Sequence, residues 1–135
     1  MNRDSNLYTF IFATIMVLVV ASALAFTATS LKDLQASNVR KEKMQNILAT
    51  IGIETDREKA ETLYNKYIVE ELSLISGGKI DSNSNAFELE LNNELKKPIA
   101  EQHFPLYVAN VEGVKSYVVP LRGSGLWNAI WGYIA

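Results

Sequence analysis

Residues 105–121 read PLYVANVEGVKSYVVPL. Two runs rich in Val, Leu and Tyr flank the pair Glu112-Gly113. Such runs fit a pleated sheet, and an acidic residue followed by Gly joins two strands into a hairpin. Pro120 has no amide hydrogen to give a ladder, so it reads as an edge strand or a strand end. This hairpin decides the class: the C-terminal part contains an antiparallel sheet. Working back from it, FELEL at 87–91 alternates apolar and acidic residues, the period of a half-buried strand. Pro98 closes the Leu91–Lys97 stretch. DSNSNA at 81–86 is a polar loop. IVEELSLIS at 68–76 can extend a preceding helix or form a strand. The β-branched pair Ile68-Val69 and the terminating Gly77-Gly78 favour the strand.

Further upstream, Thr55-Asp56-Arg57-Glu58 has the spacing of a capping box, in which the Thr hydroxyl and the Glu carboxylate satisfy exposed amides reciprocally. Ala60, Leu63, Tyr64 and Tyr67 then fall on one helical face, so a short helix begins near Asp56. Before it, Leu31, Leu34, Met44, Ile47, Leu48 and Ile51 recur near helical spacing, and Gly52 marks a stop. This stretch is a helical stalk whose apolar stripe packs either on its own domain or on a partner subunit. Working outward from the hairpin in the other direction, Gly123-Ser124-Gly125 reads as a tight turn between strands. It leads into LWNAIWGYIA at 126–135, which carries no charge.

Ser5 to Leu31 contains no charged residue. Its centre, LYTFIFATIMVLVVASALAF at 7–26, has the length of a helix crossing a bilayer core. Tyr8 and Phe10 sit near one end, as interfacial aromatics do. A cleaved signal peptide is the competing reading, since Ala21-Ser22-Ala23 and Ala23-Leu24-Ala25 fit a cleavage site. The long apolar run and the weak basic start, Arg3 beside Asp4, favour an uncleaved anchor. By the positive-inside rule, Lys32, Arg40, Lys41 and Lys43 against Arg3 alone place the C-terminal part in the cytoplasm.

The rest of the composition excludes more than it proposes. With 13 Lys and Arg against 15 Asp and Glu, the net charge is −2, and the bases are scattered, so nucleic acid is not the partner. The chain has no Cys and a single His, which removes disulfides, thiolate metal sites and a multi-His metal site within the chain. It has no phosphate loop, dinucleotide fingerprint, zinc-protease motif or nucleophile elbow. His103 lacks a visible partner for acid–base work, and the Glu residues at 70–71, 88–94 and 101 read as solvated faces. Trp127 and Trp131, four apart, share a face in a strand or a helix. They serve as core packing or as an aromatic wall beside a planar cofactor. From the residues alone, the protein is a membrane-anchored α+β domain without a catalytic constellation.

Three segments carry a family resemblance. SNLYTFIFATIMVLVVASALAFTATSLKDLQ at 5–35, followed by RKEKMQNILATIGI at 40–53, resembles the N-terminus of the C subunit of the sodium-translocating NADH:quinone oxidoreductase. VPLRGSGLWNAIWGYIA at 119–135 resembles that family's Pro-x-x-Gly-x-Gly-Leu-Trp segment. The AETLYNKY helix at 60–67 and the 105–121 hairpin fall between them in the right order. The G subunits of the related electron-transport complex share the flavin domain but match this N-terminus less well.

The resemblance implies a chain divided into an N-terminal segment, 1–31, with a transmembrane helix at about 7–27, a helical stalk, 32–52, and the start of an FMN-binding-type domain, 53–135. The expected fold class is α+β, with an incomplete, mostly antiparallel flavin domain. The resemblance further implies FMN held covalently through its phosphate on a Thr hydroxyl, placed there by a flavin transferase. The flavin relays electrons within a six-subunit complex of the inner membrane that oxidises NADH, reduces ubiquinone and exports sodium. The domain then lies on the periplasmic side, against the Lys and Arg count. One departure matters: the family's Ser-Gly-Ala-Thr attachment motif and its Gly-Glu-Thr-Pro-Gly-Leu-Gly segment are absent, and Thr50, Thr55 and Thr62 lie in nothing similar. The expectation is a truncated chain without its flavin, in which Trp127 and Trp131 are the flavin neighbours that remain. The alternative is a non-redox bitopic anchor or assembly protein.

Overall fold

The computed structural model describes residues 6–135, so Arg3 and Asp4, used in the anchor and orientation readings, lie outside the described residues. The chain runs α1 (Asn6–Thr50), α2 (Arg57–Tyr67), β1 (Ile68–Ile75), β2 (Lys79–Ile80), a 3-10 turn (Ala86–Glu88), α3 (Leu91–Glu94), a second 3-10 turn (Ile99–Glu101), β3 (Phe104–Val111), β4 (Val114–Ser124) and β5 (Ala129–Ile134). It divides into two compact units between Val39 and Arg40, within α1.

In the N-terminal unit, α1 is long and apolar enough to cross a membrane. Its apolar stretch at 7–26 is about 30 Å long as a helix, the thickness of a ~30 Å bilayer core. Phe10, Phe12, Val17, Leu18, Leu24 and Phe26 are all exposed. The hydroxyls of Thr14, Thr27 and Thr29 donate to carbonyls four residues back, so these three polar groups find acceptors within the helix.

In the C-terminal unit, a five-stranded antiparallel sheet in the order β2-β1-β3-β4-β5 is covered by α2 and the end of α1. Met44, Ile47 and Leu48 from α1 and Ala60 and Tyr64 from α2 are buried against Tyr107, Ala109 and Val118 of the sheet. The stalk stripe therefore packs on its own domain at its C-terminal end, while Leu31 and Leu34 remain exposed. Gly52 ends α1 as expected: at φ +79 it lets Ile53 N–H reach the Leu48 carbonyl (3.0 Å) and its own N–H reach Ala49 (3.1 Å).

The hairpin holds. Val111 pairs with Val114 across Glu112 (φ 51) and Gly113 (φ 86), the two left-handed residues of a tight two-residue turn. A Cβ on Gly113 would meet nothing within 4 Å, so Gly113→Ala costs only backbone strain. We expect a loss of about 1 kcal/mol, read from the urea unfolding midpoint.

Three expectations are corrected. The capping box is not made. The helix starts at Arg57, which makes Asp56 the N-cap and leaves Glu58 one position short. Asp56 makes no side-chain cap bond, and the Thr55 hydroxyl instead donates to the Asp56 carbonyl (3.3 Å).

FELEL is not a strand but a 3-10 turn leading into α3. Asn85 Oδ1 accepts from Phe87 N–H (3.0 Å), and the Phe87 ring meets Tyr64 edge-on at 5.7 Å. Arg40 and Lys43 lie over that ring at 4.8 and 4.7 Å, and the Lys43 ammonium donates to the Phe87 carbonyl. Burial lowers the Lys43 pKa, partly offset by Glu88, Glu71 and Glu90.

Pro120 lies inside β4, which is not an edge strand. Strand β4 pairs with β3 only from Val114 to Val118, and with β5 from Val119 to Ser124. Pro120 thus sits just past the point where β4 leaves β3, where a donor toward β3 is not needed.

Candidate functional site

The β4–β5 hairpin carries the aromatic residues singled out in the sequence. The tight turn is not centred on Gly123-Ser124-Gly125, because Gly123 and Ser124 belong to β4. Gly125 N–H donates to the Asn128 carbonyl (2.9 Å) and closes a turn over 125–128. A Cβ on Gly125 would come within 2.5 Å of that carbonyl, so the position needs glycine.

Trp127 lies in the turn and is 95% exposed, whereas Trp131 lies on β5 opposite Arg122 and is 60% exposed. The two do not share a strand or helix face, and neither is core. Two residues beyond Trp131, Tyr133 does reach the core and meets Tyr107 edge-on at 6.4 Å. Burial raises the Tyr133 phenol to about 12, and burial also pushes Tyr64 and Tyr107 above the ordinary phenol range. All three are therefore neutral phenols at physiological pH.

A covalently held flavin does not fit the residues present. The exposed indoles offer one open aromatic side. The last Thr in the sequence is Thr62, far in the chain from the β4–β5 hairpin. The Thr50 and Thr55 hydroxyls already donate to the carbonyls of Ile47 (2.6 Å) and Asp56 (3.3 Å).

A second constellation escaped the sequence reading. His103, at the entry to β3, places Nε2 3.2 Å from Asp81 Oδ2 and Nδ1 3.6 Å from Glu94 Oε2. Glu94 is not part of a solvated face: it is 4% exposed, on α3. It accepts from Lys97 Nζ at 2.7 and 2.9 Å and from the His103 backbone N–H at 3.0 Å. Asp81 accepts from the Ser84 hydroxyl (2.6 Å) and Asn83 N–H (3.0 Å). Only the Glu94/Lys97 spacing of one helical turn was a visible signal. The approach of His103 to both carboxylates is tertiary. Among the described residues, no group of three or more His, Asp or Glu side chains is disposed to hold a metal.

Burial raises the Glu94 pKa, but the Lys97 and His103 hydrogen bonds outweigh it and hold the carboxyl below the ordinary Glu value. A depressed carboxylate stabilises the fold above its unfolded pKa of about 4.3, and that stability is lost as pH falls through the folded value. Glu94→Gln is expected to cost about 2 kcal/mol at neutral pH and to flatten the acid limb of the stability curve below about pH 4. Urea titrations across that range test it, and an unchanged acid limb would sink it.

No family model matches the chain. Individual relatives do. The chain is 24% identical over 155 residues to the C subunit of the Na(+)-translocating NADH-quinone reductase of Vibrio parahaemolyticus, covering 99% of this chain and 59% of that protein. The corresponding Pseudomonas aeruginosa protein is 22% identical over 154 residues, with the same coverage. The chain thus spans 59% of the length of these relatives. Among solved structures, it superposes on the C subunit of the Na(+)-translocating NADH-quinone reductase from Parabacteroides distasonis with a TM-score of 0.69 and 33% identity. That match covers 76% of this chain and 49% of that one.

Proposed function

We infer the role of this chain from its family: it belongs to the C subunits of the Na(+)-translocating NADH-quinone reductase. The chain is a membrane-anchored subunit of that complex, held by α1 in the bacterial inner membrane. Residues 7–27 cross the bilayer, 32–52 form the stalk, and 53–135 form the first part of an FMN-binding-type domain on the periplasmic side. Its partners are the lipid bilayer and the other subunits of the six-subunit complex. The observation that carries this reading is the order of elements. A long apolar helix leads into a stalk buried at its base in an antiparallel domain that superposes on a protein of this family.

In full-length members of the family, covalent FMN placed by a flavin transferase would supply one-electron transfer between NADH oxidation and ubiquinone reduction, coupled to sodium export; the residues present here do not hold it. The residues of this chain supply the anchor, the scaffold and one aromatic side. Trp127 and Trp131 are proposed as flavin neighbours, and the attachment Thr is not among the residues present. NADH turnover is not assigned to this chain alone.

The missing Ser-Gly-Ala-Thr motif favours one second reading, a non-redox bitopic anchor or assembly protein. One preparation separates the two. The full-length gene product, tagged, is purified from native membranes in mild detergent and then run on a denaturing gel under ultraviolet light. Co-purification with the reductase subunits and a fluorescent band at its own mass support the redox role. Co-purification with a dark band supports the anchor. Failure to co-purify overturns both.

A further inference from the structure

The ring of His103 is surrounded by oxygens that can only accept. Nδ1 lies 3.1 Å from the Glu101 carbonyl and 3.6 Å from Glu94 Oε2, and Nε2 lies 3.2 Å from Asp81 Oδ2. A neutral imidazole has one N–H and one bare lone pair. Whichever nitrogen is bare then points its lone pair at another lone pair. Only the imidazolium, with two N–H groups, satisfies both sides.

The charged groups facing the ring are Asp81 from the loop after β2, Glu94 from α3, and Lys97, whose ammonium is spent on Glu94. Both carboxylates hold their negative charge: hydrogen bonds from Ser84 and Asn83, with help from His103, keep Asp81 ionised. The ring is partly shielded, with 26% of the side chain exposed against 20% for Asp81 and 6% for Glu94. Water therefore reaches the ring but does not replace these partners.

We propose that His103 is a proton-operated clamp. As an imidazolium it ties the loop after β2 to α3 at the entry to β3, and on losing its proton it lets one side go. Three elements with no mutual backbone ladder meet at this one ring. Asp81 orders its own loop through Asn83 and Ser84, and Glu94 orders the chain up to His103 through Lys97 and the His103 amide. The device needs neither flavin nor partner subunits, so it is independent of the role inferred above.

The test is hydrogen exchange on the full chain in detergent micelles at about pH 5.5 and about pH 8, a window that spans histidine titration. Protection factors, which remove the chemical pH dependence of exchange, are read over 81–84 and 101–103. Losing one charge-assisted hydrogen bond is expected to lower protection about tenfold in at least one of these segments at the higher pH. In His103→Gln, whose amide donates at both pH values, the drop should vanish. Unchanged wild-type protection overturns the proposal, and so does a drop that survives in His103→Gln. Should that variant not fold, nitrogen-15 NMR of the wild-type ring decides. Two protonated ring nitrogens at about pH 5.5 and one at about pH 8 support the clamp. A ring already neutral at the lower pH overturns it.

Discussion

Tyr107→Ala is expected to destabilise the C-terminal unit by about 3 to 5 kcal/mol, enough to consume much of a small domain's stability. Tyr107 is fully buried in β3, the central strand, which pairs with β1 on one side and β4 on the other. Its ring packs between the helices and the sheet, it meets Tyr133 edge-on, and its hydroxyl donates to the Ala86 carbonyl at 3.3 Å. Truncation removes the ring from a site where α1, α2 and two strands converge, and those elements cannot all collapse into the space. Tyr107→Phe isolates the hydroxyl and should cost about 1 kcal/mol. Urea unfolding monitored by circular dichroism reads both, as a fall in midpoint at constant slope. Equal losses in the two variants would mean that the hydroxyl, not the ring, carries the effect.

The second large effect concerns the anchor. Val17→Arg puts a charge near the middle of the apolar stretch, at a side chain 66% exposed on α1. Insertion should be disfavoured by about 3 kcal/mol, roughly a hundredfold in the partition between membrane and solution. Leu34→Arg, on the exposed part of the stalk beyond the apolar run, should leave insertion unchanged. Carbonate extraction of membranes followed by immunoblotting measures the retained fraction. If both variants remain in the pellet as fully as wild type, α1 does not hold the chain in the bilayer by its apolar run.

These two regions were also the most legible from sequence, for opposite reasons. The apolar run announces itself because it buries nothing internally: each residue from Leu7 to Phe26 is apolar or small on its own account. The 105–121 hairpin was legible because its turn chemistry and its strand composition agree, and α2 and β1 followed from face spacing and β-branching. FELEL failed because alternation describes a surface, whereas Phe87 is placed by a pocket between Tyr64, Arg40 and Lys43, residues 23 to 47 positions away.

The charge run at 88–94 misled in the same way. The sequence does not distinguish Glu94 from its exposed neighbours, since its burial depends on the backbone at 103 turning back to meet it. Trp127 and Trp131 are four residues apart under any reading. The turn at Gly125–Asn128 gives them different environments, and that turn depends on a close backbone approach that a Gly in the sequence permits but does not announce.

Strand β4 serves two partners in succession and never both at one residue. Its hydrogen-bonded pairs with β3 end at Val118, and those with β5 begin at Val119. The arm from Val119 onward can therefore peel off without breaking a single rung of the β3–β4 ladder, held back mainly by Tyr133 lodged against Tyr107. Such a seam makes opening hierarchical. The β4–β5 arm should lose its order at a lower free energy than the sheet formed by β1, β3 and the first half of β4, with Pro120 marking where the tear stops.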